Sequence, residues 1–506
     1  MKISISYPPL ESEKGVALLS QNRQFQWFNN PTYIYPVIPA YAATLLKENG
    51  YSVFWDDGIA EELSYDKWLE RFLNENIDIA VIETKTPVVK RHWRIINKIK
   101  ELKPGIKIVL VGDHVTALPE ESLKYSKVDY VLCGGDYDFG VLNLVKYLEG
   151  KEDLEPGIYY RESGDWDESL KDESINWRDG GYNNLVVKNS GIKQDYHLHN
   201  LDSLPMIDRE LTRWELYAFK NGNFKYTPGA YIMSGRDCWW GRCIFCSWTT
   251  MFPGANFRVR SADLALDEVG HLIDMGVKEI MEDSGSLPVG KWLIDFCNGM
   301  IERKYNEKVS ISCNMRINGI KDPDTWKLMR KAGFRLILFG LESANQETLN
   351  KINKNLKVEE IENGLRICKK AGLYPHITAM IGYPWETYND AKQTIELVRD
   401  LFKKGYVDTL QATILIPYPG TPLYQYCKEN NLLNFNDYDR FDQREQVMKS
   451  ELNTEQVKEL TQDLYKSFIS PQFLIHKITS IRSFNDVKFL FKSGLKVIGH
   501  LTDFKK

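Results

Sequence analysis

Three cysteines lie within nine residues in the stretch Gly235-Arg-Asp-Cys238-Trp-Trp-Gly-Arg-Cys243-Ile-Phe-Cys246-Ser-Trp248. The other five of the eight cysteines are scattered singly along the chain, so the set is not a disulfide framework. In a reducing compartment, clustered cysteines indicate metal or redox chemistry more often than cross-links. Three thiolates on one loop can ligate three irons of a cubane 4Fe–4S cluster and leave the fourth iron open.

Zinc is the alternative occupant of this cysteine loop, and a structural zinc site needs a fourth ligand. The chain has no second Cys-x-x-Cys pair, and the nearest histidines are not at finger-like spacing; they are His197, His199 and His271. The spacing therefore favours an iron–sulfur cluster over zinc.

The composition is that of an ordinary globular protein of roughly three domains. The chain has 506 residues, 43% hydrophobic and 26% charged, which excludes a mainly disordered or collagen-like chain. A net charge of −4 argues against a nucleic-acid-binding protein. No apolar run approaches the ~18 residues of a membrane span, and the N-terminus lacks a signal-peptide pattern, so we expect a cytoplasmic protein.

Residues 1–150 alternate short apolar runs with helical periodicity, which predicts βαβ units and a doubly wound, Rossmann-like parallel sheet. The expected strands are Lys2–Ser6, Tyr51–Phe54, Ile77–Ile82, Ile106–Val111 and Tyr130–Leu132, and the expected helices Ile38–Glu48, Tyr65–Asn74, Val89–Leu102 and Phe139–Leu148. Such sheets bind ligands beyond the carboxyl ends of their strands. Residues 151–228 read as a connector with surface hairpins or loops, which regains helical character at Leu201–Leu216.

Residues 229–430 repeat the alternation in six longer units, which predicts a partial (β/α)6 barrel with its site at the carboxyl strand ends. The expected strands are Tyr231–Ser234, Val277–Met281, Val309–Cys313, Leu336–Gly340, Tyr374–Ile381 and Thr409–Pro417. A helical stretch follows each strand: Ala262–Met275, Lys291–Arg303, Asp322–Ala332, Val358–Ala371, Tyr388–Lys404 and Pro422–Glu429. The cysteine loop directly follows the first strand, and residues 431–506 read as a helical C-terminal region.

Each later strand of the predicted barrel ends in a short polar or glycine-containing motif. The motifs are Met281-Glu-Asp-Ser-Gly285, Cys313-Asn-Met-Arg316, Gly340-Leu-Glu342-Ser343, Gly382-Tyr-Pro-Trp-Glu386 and Pro417-Tyr-Pro-Gly-Thr-Pro422. Each is weak alone, but one per βα unit in this order is improbable by chance. With the cysteine loop, they resemble the radical SAM superfamily, specifically its cobalamin-binding branch. The resemblance covers nearly the whole chain.

The resemblance implies a 4Fe–4S cluster whose metal ligands, and catalytic residues, are Cys238, Cys243 and Cys246. It also implies that S-adenosylmethionine (SAM) binds the open iron and is reductively cleaved to a 5′-deoxyadenosyl radical. The implied SAM contacts are Phe245, Glu282, Asp283, Ser284, Arg316, Glu342, Ser343 and Gly382. The usual signature has three residues between the first two cysteines, whereas Trp239–Arg242 supplies four, which lengthens this loop by one residue.

The N-terminal domain resembles the cobalamin-binding domain that precedes the barrel in that branch, with three loops that would meet the corrin. The implied cobalamin contacts are Thr84, Thr86, Gly112, His114, Val115, Thr116, Gly134 and Gly135. Residues 7–35 contain no histidine, so no histidine of that loop can be the lower axial cobalt ligand. The alternative is a structural Rossmann layer without a cofactor.

For several further side chains, the sequence leaves two interpretations open. Arg258 and Arg260 are either solvated or close to the cluster or the SAM carboxylate. The tryptophans near strand ends are either core or pocket lining; they are Trp239, Trp240, Trp248 and Trp385. His197 and His199 alternate on a possible strand and could bind a metal, but we expect a surface hairpin there. A site contact of His376 is the less favoured interpretation.

The C-terminal stretch 466–506 carries a net charge of +6 with interleaved phenylalanines. Such a stretch can contact an anionic membrane, recruit a partner or cap the barrel with its apolar face, and membrane contact is the less favoured interpretation.

The resemblance implies a cobalamin-dependent C-methyltransferase that acts on an unactivated carbon of a small-molecule, lipid or peptide substrate. In the family, one SAM methylates reduced cobalamin and a second gives the radical that abstracts the substrate hydrogen. An external flavodoxin- or ferredoxin-like electron donor is also implied. The alternatives are a cobalamin-linked cyclase or rearrangement enzyme without methyl transfer, and a non-enzymatic corrinoid carrier or electron-transfer protein.

Overall fold

The structure is a computed structural model, and it describes residues 1–19, 25–29, 31–167, 181–191, 199–222, 224–254, 257–467, 470–479 and 481. No helix among these residues is both long enough and apolar enough to span a membrane.

The N-terminal sheet has seven strands in the order β4-β1-β5-β6-β7-β8-β9, and its first five strands are parallel. The strands of this part of the chain are β1 (Lys2–Tyr7), β2 (Val16–Ala17), β3 (Trp27–Phe28), β4 (Ser52–Asp57), β5 (Ile79–Glu83), β6 (Lys107–Val111), β7 (Tyr130–Leu132), β8 (Ile158–Trp166) and β9 (Tyr182–Asn189). The helices are α1 (Val37–Glu48), α2 (Tyr65–Asn74), α3 (Val89–Leu102), α4 (Asp113–Ala117), α5 (Pro119–Tyr125) and α6 (Tyr137–Leu148). The central strands β5 and β6 are buried except at Lys107, and all their residues but Glu83 and Lys107 are apolar, as is typical of a parallel sheet covered on both faces.

The β8–β9 hairpin extends this sheet with two antiparallel strands. It lies inside the stretch predicted as a connector with surface hairpins or loops, because an edge hairpin leaves much of its surface in solvent and needs few apolar residues. Residues 168–180 lie outside the described part of the chain.

The stretch Leu201–Leu216 is not the helical segment that its sequence indicates. A 3₁₀ turn spans Leu201–Ser203, and α7 is confined to Glu215–Ala218. Pro205 lacks the amide hydrogen that a helix interior needs, and Arg213 has a left-handed φ of 49°. These two residues interrupt the helix.

The second sheet is a partial barrel of six parallel strands in the order β10-β13-β14-β15-β16-β17, as the sequence predicts. The strands of this part of the chain are β10 (Gly229–Ile232), β11 (Gly235–Arg236), β12 (Arg258–Val259), β13 (Glu279–Glu282), β14 (Ser310–Met315), β15 (Phe334–Glu342), β16 (Tyr374–Ile381) and β17 (Thr409–Ile414). The helices are α8 (Trp248–Met251), α9 (Ala262–Asp274), α10 (Lys291–Glu302), α11 (Pro323–Lys331), α12 (Gln346–Lys351), α13 (Val358–Lys370), α14 (Tyr388–Lys403), α15 (Pro422–Glu429), α16 (Thr454–Lys466) and α17 (Pro471–Thr479).

The carboxyl strand ends of the two sheets face each other. The Gly135 amide, after β7, donates to the Met251 carbonyl at the end of α8, over 3.0 Å. A Cβ atom on Gly420, after β17, would come within 2.7 Å of the Ala117 Cβ in α4. This meeting of strand ends brings the loops of both predicted sites to one interface.

Candidate functional site

The cysteine loop follows β10 and β11, and its three thiols are half-buried and free of disulfides. Burial raises the pKa of Cys243 and of Cys246, and the neighbouring thiols raise both further. Asp237 has a left-handed φ of 74°, and its carboxylate accepts the Cys238 amide hydrogen at 2.6 Å. The loop therefore gathers three thiols and a buried carboxyl in one small region.

The thiols do not converge on a single point. Among the described residues, no three His, Cys, Asp or Glu side chains are arranged as the ligands of one metal ion. A tetrahedral zinc site requires such convergence, whereas three thiolates that ligate three separate irons do not. The donor set fits a cubane cluster better than zinc.

The end of β13 supplies hydrogen-bonding groups beside the cysteine loop. The Glu282 carboxylate accepts the Ser234 amide hydrogen at 2.8 Å, and the Ser284 hydroxyl accepts the Gly235 amide hydrogen at 2.7 Å. Burial raises the pKa of Glu282 to about 7. A Cβ atom on Gly285 would lie 2.9 Å from the Asp237 carbonyl, so only glycine permits this close approach.

Buried polar atoms without a hydrogen-bond partner are concentrated at these strand ends. Within the described part of the chain they include Ser234 Oγ, Asp237 Oδ2, Trp239 Nε1, Glu282 Oε2, Ser286 Oγ and Arg316 Nε. An unsatisfied buried polar atom is costly, and a bound polar ligand would account for the cost. The observation therefore fits a ligand with several donors and acceptors, such as SAM.

The end of β15 places Glu342 in a left-handed conformation, with φ at 67°. Its carboxylate accepts from the buried Lys354 ammonium at 2.7 Å and from the Thr378 hydroxyl at 3.1 Å. Lys354 and Arg316 lower the pKa of Cys243, which partly offsets the effect of burial. Sequence reasoning missed Lys354, since it comes twelve residues after the strand-end glutamate.

The segment 352–355, between α12 and α13, packs against the cysteine loop. The Asn353 carbonyl accepts from the Trp240 indole at 2.7 Å, and the Ile352 carbonyl accepts the Ile244 amide hydrogen at 3.1 Å. Asn353 and Asn355 both have left-handed φ angles, which asparagine tolerates well. The Asn-Lys-Asn sequence was therefore a signal for a tight loop, although not for its contact with the cysteines.

Arg316, at the end of β14, joins this segment to the lengthened cysteine loop. Its guanidinium donates to the Lys354 and Asn355 carbonyls and lies over the rings of Trp239 and Trp240, at 5.4 and 5.0 Å. The extra residue between the first two cysteines is thus accommodated in a packed aromatic–cation stack.

Other residues predicted to contact SAM make hydrogen bonds or packing contacts within the protein. The Ser343 hydroxyl accepts the Asn345 amide hydrogen at 3.1 Å, and the Gly382 amide donates to Glu386 at 2.6 Å. The Phe245 ring is buried in the core. Asp283 lies beside Asn314, whose amide donates to it over 3.4 Å.

Arg258 and Arg260 are neither solvated nor left free to bind the cluster or the SAM carboxylate, because each guanidinium group is paired with a protein carboxylate. Arg258 donates to Asp136 at 2.6 and 2.8 Å, and Arg260 donates to Glu268 at 2.9 Å. Both guanidinium groups are buried where the N-terminal domain meets the barrel. The Arg258 partner, Asp136, lies 122 positions away in the sequence, so periodicity alone cannot reveal this pair.

The loops predicted to bind cobalamin come together at the ends of β5, β6 and β7. His114 Nδ1 lies 3.2 Å from the Thr86 hydroxyl, and His92 Nδ1 lies 2.7 Å from the Thr84 hydroxyl. The Thr116 hydroxyl donates to the Gly112 carbonyl and accepts the Gly134 amide hydrogen, at 2.7 and 3.0 Å. Most of these polar groups thus already have a protein partner, and Val115 is buried.

Two buried side chains at this edge, His114 and Glu83, differ from the others. His114 Nε2 has no hydrogen-bond partner within the described residues, and its ring meets the Tyr438 ring edge-on at 4.9 Å. Burial raises the pKa of Glu83 to about 7, although Lys85 and Tyr7 oppose the rise. Gly135, by contrast, makes room for the ring of Phe252, so a protein side chain occupies that side of the residue.

The remaining aromatic and histidine candidates are mostly structural. Trp248 stacks on Phe252 at 5.2 Å, and the Trp385 indole donates to Thr348 at 3.2 Å. His199 bonds to Asp136 and Glu155, at 3.0 Å each, rather than lying free on the surface. His376 bonds to Thr409 within the sheet. His197 and most of the basic C-terminal stretch lie outside the described residues.

Residues 232–398 match the sequence profile of the Radical SAM superfamily. The chain contains a radical SAM domain. The radical SAM domain begins within β10 and includes the cysteine loop and the ends of β13 to β16. It implies a 4Fe–4S cluster and SAM as cofactors.

Relatives match over most of the chain. An "uncharacterized methyltransferase PH0819" of Pyrococcus horikoshii is 26% identical over 88% of this chain and 90% of its own length. The anaerobic magnesium-protoporphyrin IX monomethyl ester cyclase of Cereibacter sphaeroides is 24% identical over 87% of this chain and 68% of its own length. The similarity thus extends well beyond the radical SAM domain on both sides.

Solved structures share the fold along nearly the whole chain. The cobalamin-dependent SAM radical enzyme OxsB, with aqua-cobalamin and SAM bound, has a TM-score of 0.68, 15% identity and coverage of 99% of this chain and 71% of its own. The radical SAM methyltransferase TsrM from Kitasatospora setae, with cobalamin and a [4Fe-4S] cluster bound, has a TM-score of 0.63, 14% identity and 99% coverage of both chains. The predicted arrangement of a Rossmann-like sheet before a partial barrel is therefore confirmed.

Proposed function

We propose that this protein is a cobalamin-dependent radical SAM enzyme that methylates an unactivated carbon. The observation that carries the proposal is the meeting of two carboxyl strand edges, one bearing the cysteine loop and the other the predicted cobalamin loops. When bound, the cluster supplies the electron for reductive cleavage of SAM, and cobalamin supplies a carrier for a methyl group. An external reductant must provide the electron.

Cys238, Cys243 and Cys246 would ligate three irons of the cluster. Lys354 and Arg316 place positive charge beside Cys243, which favours the thiolate and any anionic group bound next to it. The free carboxylate oxygen of Glu282 and the Ser286 hydroxyl are available to a ligand amino group. These groups would therefore orient the amino-acid end of SAM.

The half-buried Trp239 and Trp240 and the buried Trp248 would limit the access of water to one side of the site. Trp239 and Trp240 are covered by the Arg316 guanidinium, and Trp248 packs on Phe252. A dry site strengthens electrostatic contacts and protects reactive intermediates from side reactions.

Cobalamin would be held by the loops at the ends of β5, β6 and β7. His114 Nε2 makes no hydrogen bond among the described residues, although the Glu121 carboxylate lies 3.6 Å away, so it could bond to one of the corrin amide groups. Gly134, at positive φ, would allow close backbone approach, whereas Gly112 makes room for the Thr84 carbonyl. Thr84, Thr86 and Thr116 orient these loops through the hydrogen bonds described above.

A cyclase without methyl transfer is the second candidate, favoured by the similarity to the Cereibacter sphaeroides cyclase over 87% of this chain. The two candidates differ in their products. Methyl transfer from SAM leaves S-adenosylhomocysteine, whereas a cyclase leaves only 5′-deoxyadenosine or regenerated SAM.

Removing one cysteine ligand tests the site directly. We expect Cys243→Ala, reconstituted anaerobically and reduced with dithionite, to form no 5′-deoxyadenosine, because the cluster loses a ligand. The matched control is Cys297→Ala, a buried cysteine in α10, which we expect to retain cleavage. Undiminished cleavage in Cys243→Ala would contradict the cluster assignment, and S-adenosylhomocysteine from the native enzyme would favour methyl transfer.

A further inference from the structure

One loop of the N-terminal domain contacts both ends of the cysteine loop. We call residues 133–138, the turn after β7 together with the first two residues of α6, the clamp loop. At the start of the cysteine loop, the Arg236 side chain is 1% exposed and lies two residues before Cys238. Its guanidinium donates to Asp136 at 3.0 Å and to Asp138 at 3.2 and 2.6 Å.

The same six residues also hold the end of α8, the helix that follows the cysteine loop. The Gly135 amide donates to the Met251 carbonyl at 3.0 Å. The Phe252 ring fills the space in which a side chain at position 135 would lie, since a Cβ atom there would be 1.9 Å from the ring. The clamp loop thus fixes the spacing between residues 236 and 252, which bracket all three cysteines.

A second arginine completes the charge balance. Arg258 lies opposite Arg236 in the antiparallel β11–β12 pair of strands. Its guanidinium donates to Asp136 at 2.6 and 2.8 Å. Two buried carboxylates therefore face two buried guanidinium groups. Burial opposes the ionisation of Asp136, but the hydrogen bond from His199 and the two arginine charges outweigh it and lower its pKa. Because the charges are buried, removal of one partner leaves another uncompensated.

The hairpin also reaches the predicted SAM contacts. Gly235, the residue before Arg236, donates its amide hydrogen to Ser284, whose hydroxyl bonds to Glu282 at 2.5 Å. A displacement of Arg236 would therefore move Cys238 on one side and the Glu282–Ser284 pair on the other.

We propose that the clamp loop is a positioning element: Asp138 and Asp136, through Arg236, hold the cysteine loop in the geometry in which the cluster's open iron accepts SAM. The N-terminal domain thereby acts on the radical chemistry through direct protein contact. The inference rests on the proposed assignment of the cluster to the three cysteines.

The test compares Asp138→Asn and Arg236→Lys with Glu268→Gln in the full-length protein after anaerobic reconstitution. Glu268 is the matched control, since it is an equally buried carboxylate at the same domain interface that bonds to Arg209 at 2.6 Å and does not contact the cysteine loop. The readouts are the melting temperature, iron per chain, and the SAM concentration that half-converts the electron paramagnetic resonance signal of the reduced cluster to its SAM-bound form.

We expect both clamp variants to require about 10- to 100-fold more SAM, the range for groups that position a metal ligand, while Glu268→Gln behaves like the native protein. Loss of iron from the two clamp variants alone, at melting temperatures matched to the control, would also support the proposal. A native SAM requirement in Asp138→Asn, or an equal change in Glu268→Gln, would overturn it. A native protein that binds no iron would instead overturn the proposed function.

Discussion

At the scale of single residues, two cations from different parts of the chain, Arg316 after β14 and Lys354 between α12 and α13, place positive charge beside Cys243. Lys354 is buried and bonded to Glu342, and burial opposes its charge, but the Glu342 and Cys243 charges outweigh this effect and raise its pKa. Lys354 therefore stays protonated in the site. A fixed positive charge next to an anionic cluster stabilises the reduced state more than the oxidised state.

Lys354→Met should lower the midpoint potential of the cluster by tens of millivolts, because a loss of about 1.4 kcal/mol corresponds to roughly 60 mV for one electron. Iron content should stay unchanged, since the cysteines remain. The control is Lys351→Met, whose ammonium pairs with Glu347 on the helix surface. Redox titration followed by electron paramagnetic resonance measures the effect, and equal potentials in the two variants would contradict it.

The buried Glu386 makes the free energy of unfolding decrease as the pH rises. Burial raises the pKa of its carboxyl from 4.5 to about 8, although the Gly382 amide opposes the rise. Its contribution is fully present below pH 4.5 and is lost as the pH rises through 8. Glu386→Gln should therefore gain stability relative to the native protein between pH 5 and 8, by up to a few kcal/mol. Urea unfolding midpoints of Glu386→Gln and of the native protein at pH 5 and at pH 8 test this. A difference between the two proteins that does not change with pH would contradict it.

At the scale of elements, the clamp loop and α8 are packed so closely that position 135 admits no side chain. Gly135→Ala would place a Cβ atom 1.9 Å from the Phe252 ring. We expect a loss of about 1–3 kcal/mol in the free energy of unfolding, the usual cost of overpacking. Gly105→Ala is the control, because a Cβ atom there meets nothing within 4 Å.

A second substitution separates this clash from a general weakening of the loop. If the clash is the cause, Phe252→Leu should restore much of the stability that Gly135→Ala loses, which a double-mutant cycle of urea unfolding measures. Additive losses in the double variant would show that the two residues do not interact.

Among the elements, the parallel strands can be predicted from the sequence more readily than β8 and β9. The parallel strands were recoverable because burial on both faces demands continuous apolar runs, as in β5 and β6. The β8–β9 edge strands carry a weaker signal because solvent covers much of them.

Within the site, the cysteines were visible because their chemistry requires a fixed local spacing. Lys354 and the ion pairs of Arg236 and Arg258 were not visible, because they join residues up to 122 positions apart. Long-range pairing of single charged side chains leaves no periodic pattern. The three cysteines could therefore be proposed as ligands from sequence, but the contacts that position them could not.

At the scale of the whole molecule, the function depends on two sheets whose carboxyl edges meet. The N-terminal sheet and the partial barrel are each a common fold when taken alone. The interface between them brings together the cysteine loop, the predicted SAM contacts and the predicted cobalamin loops, joined by the clamp loop. Methyl transfer through a corrin requires this proximity, and a radical SAM domain alone does not supply it.

The most direct measurement of the account is the iron and cobalt content per chain after anaerobic purification and reconstitution with hydroxocobalamin. A cobalamin-dependent radical SAM enzyme should hold about four irons and one cobalt per chain. Four irons without cobalt would retain the radical SAM chemistry but contradict cobalamin-dependent methyl transfer, and a chain without iron would contradict the account as a whole.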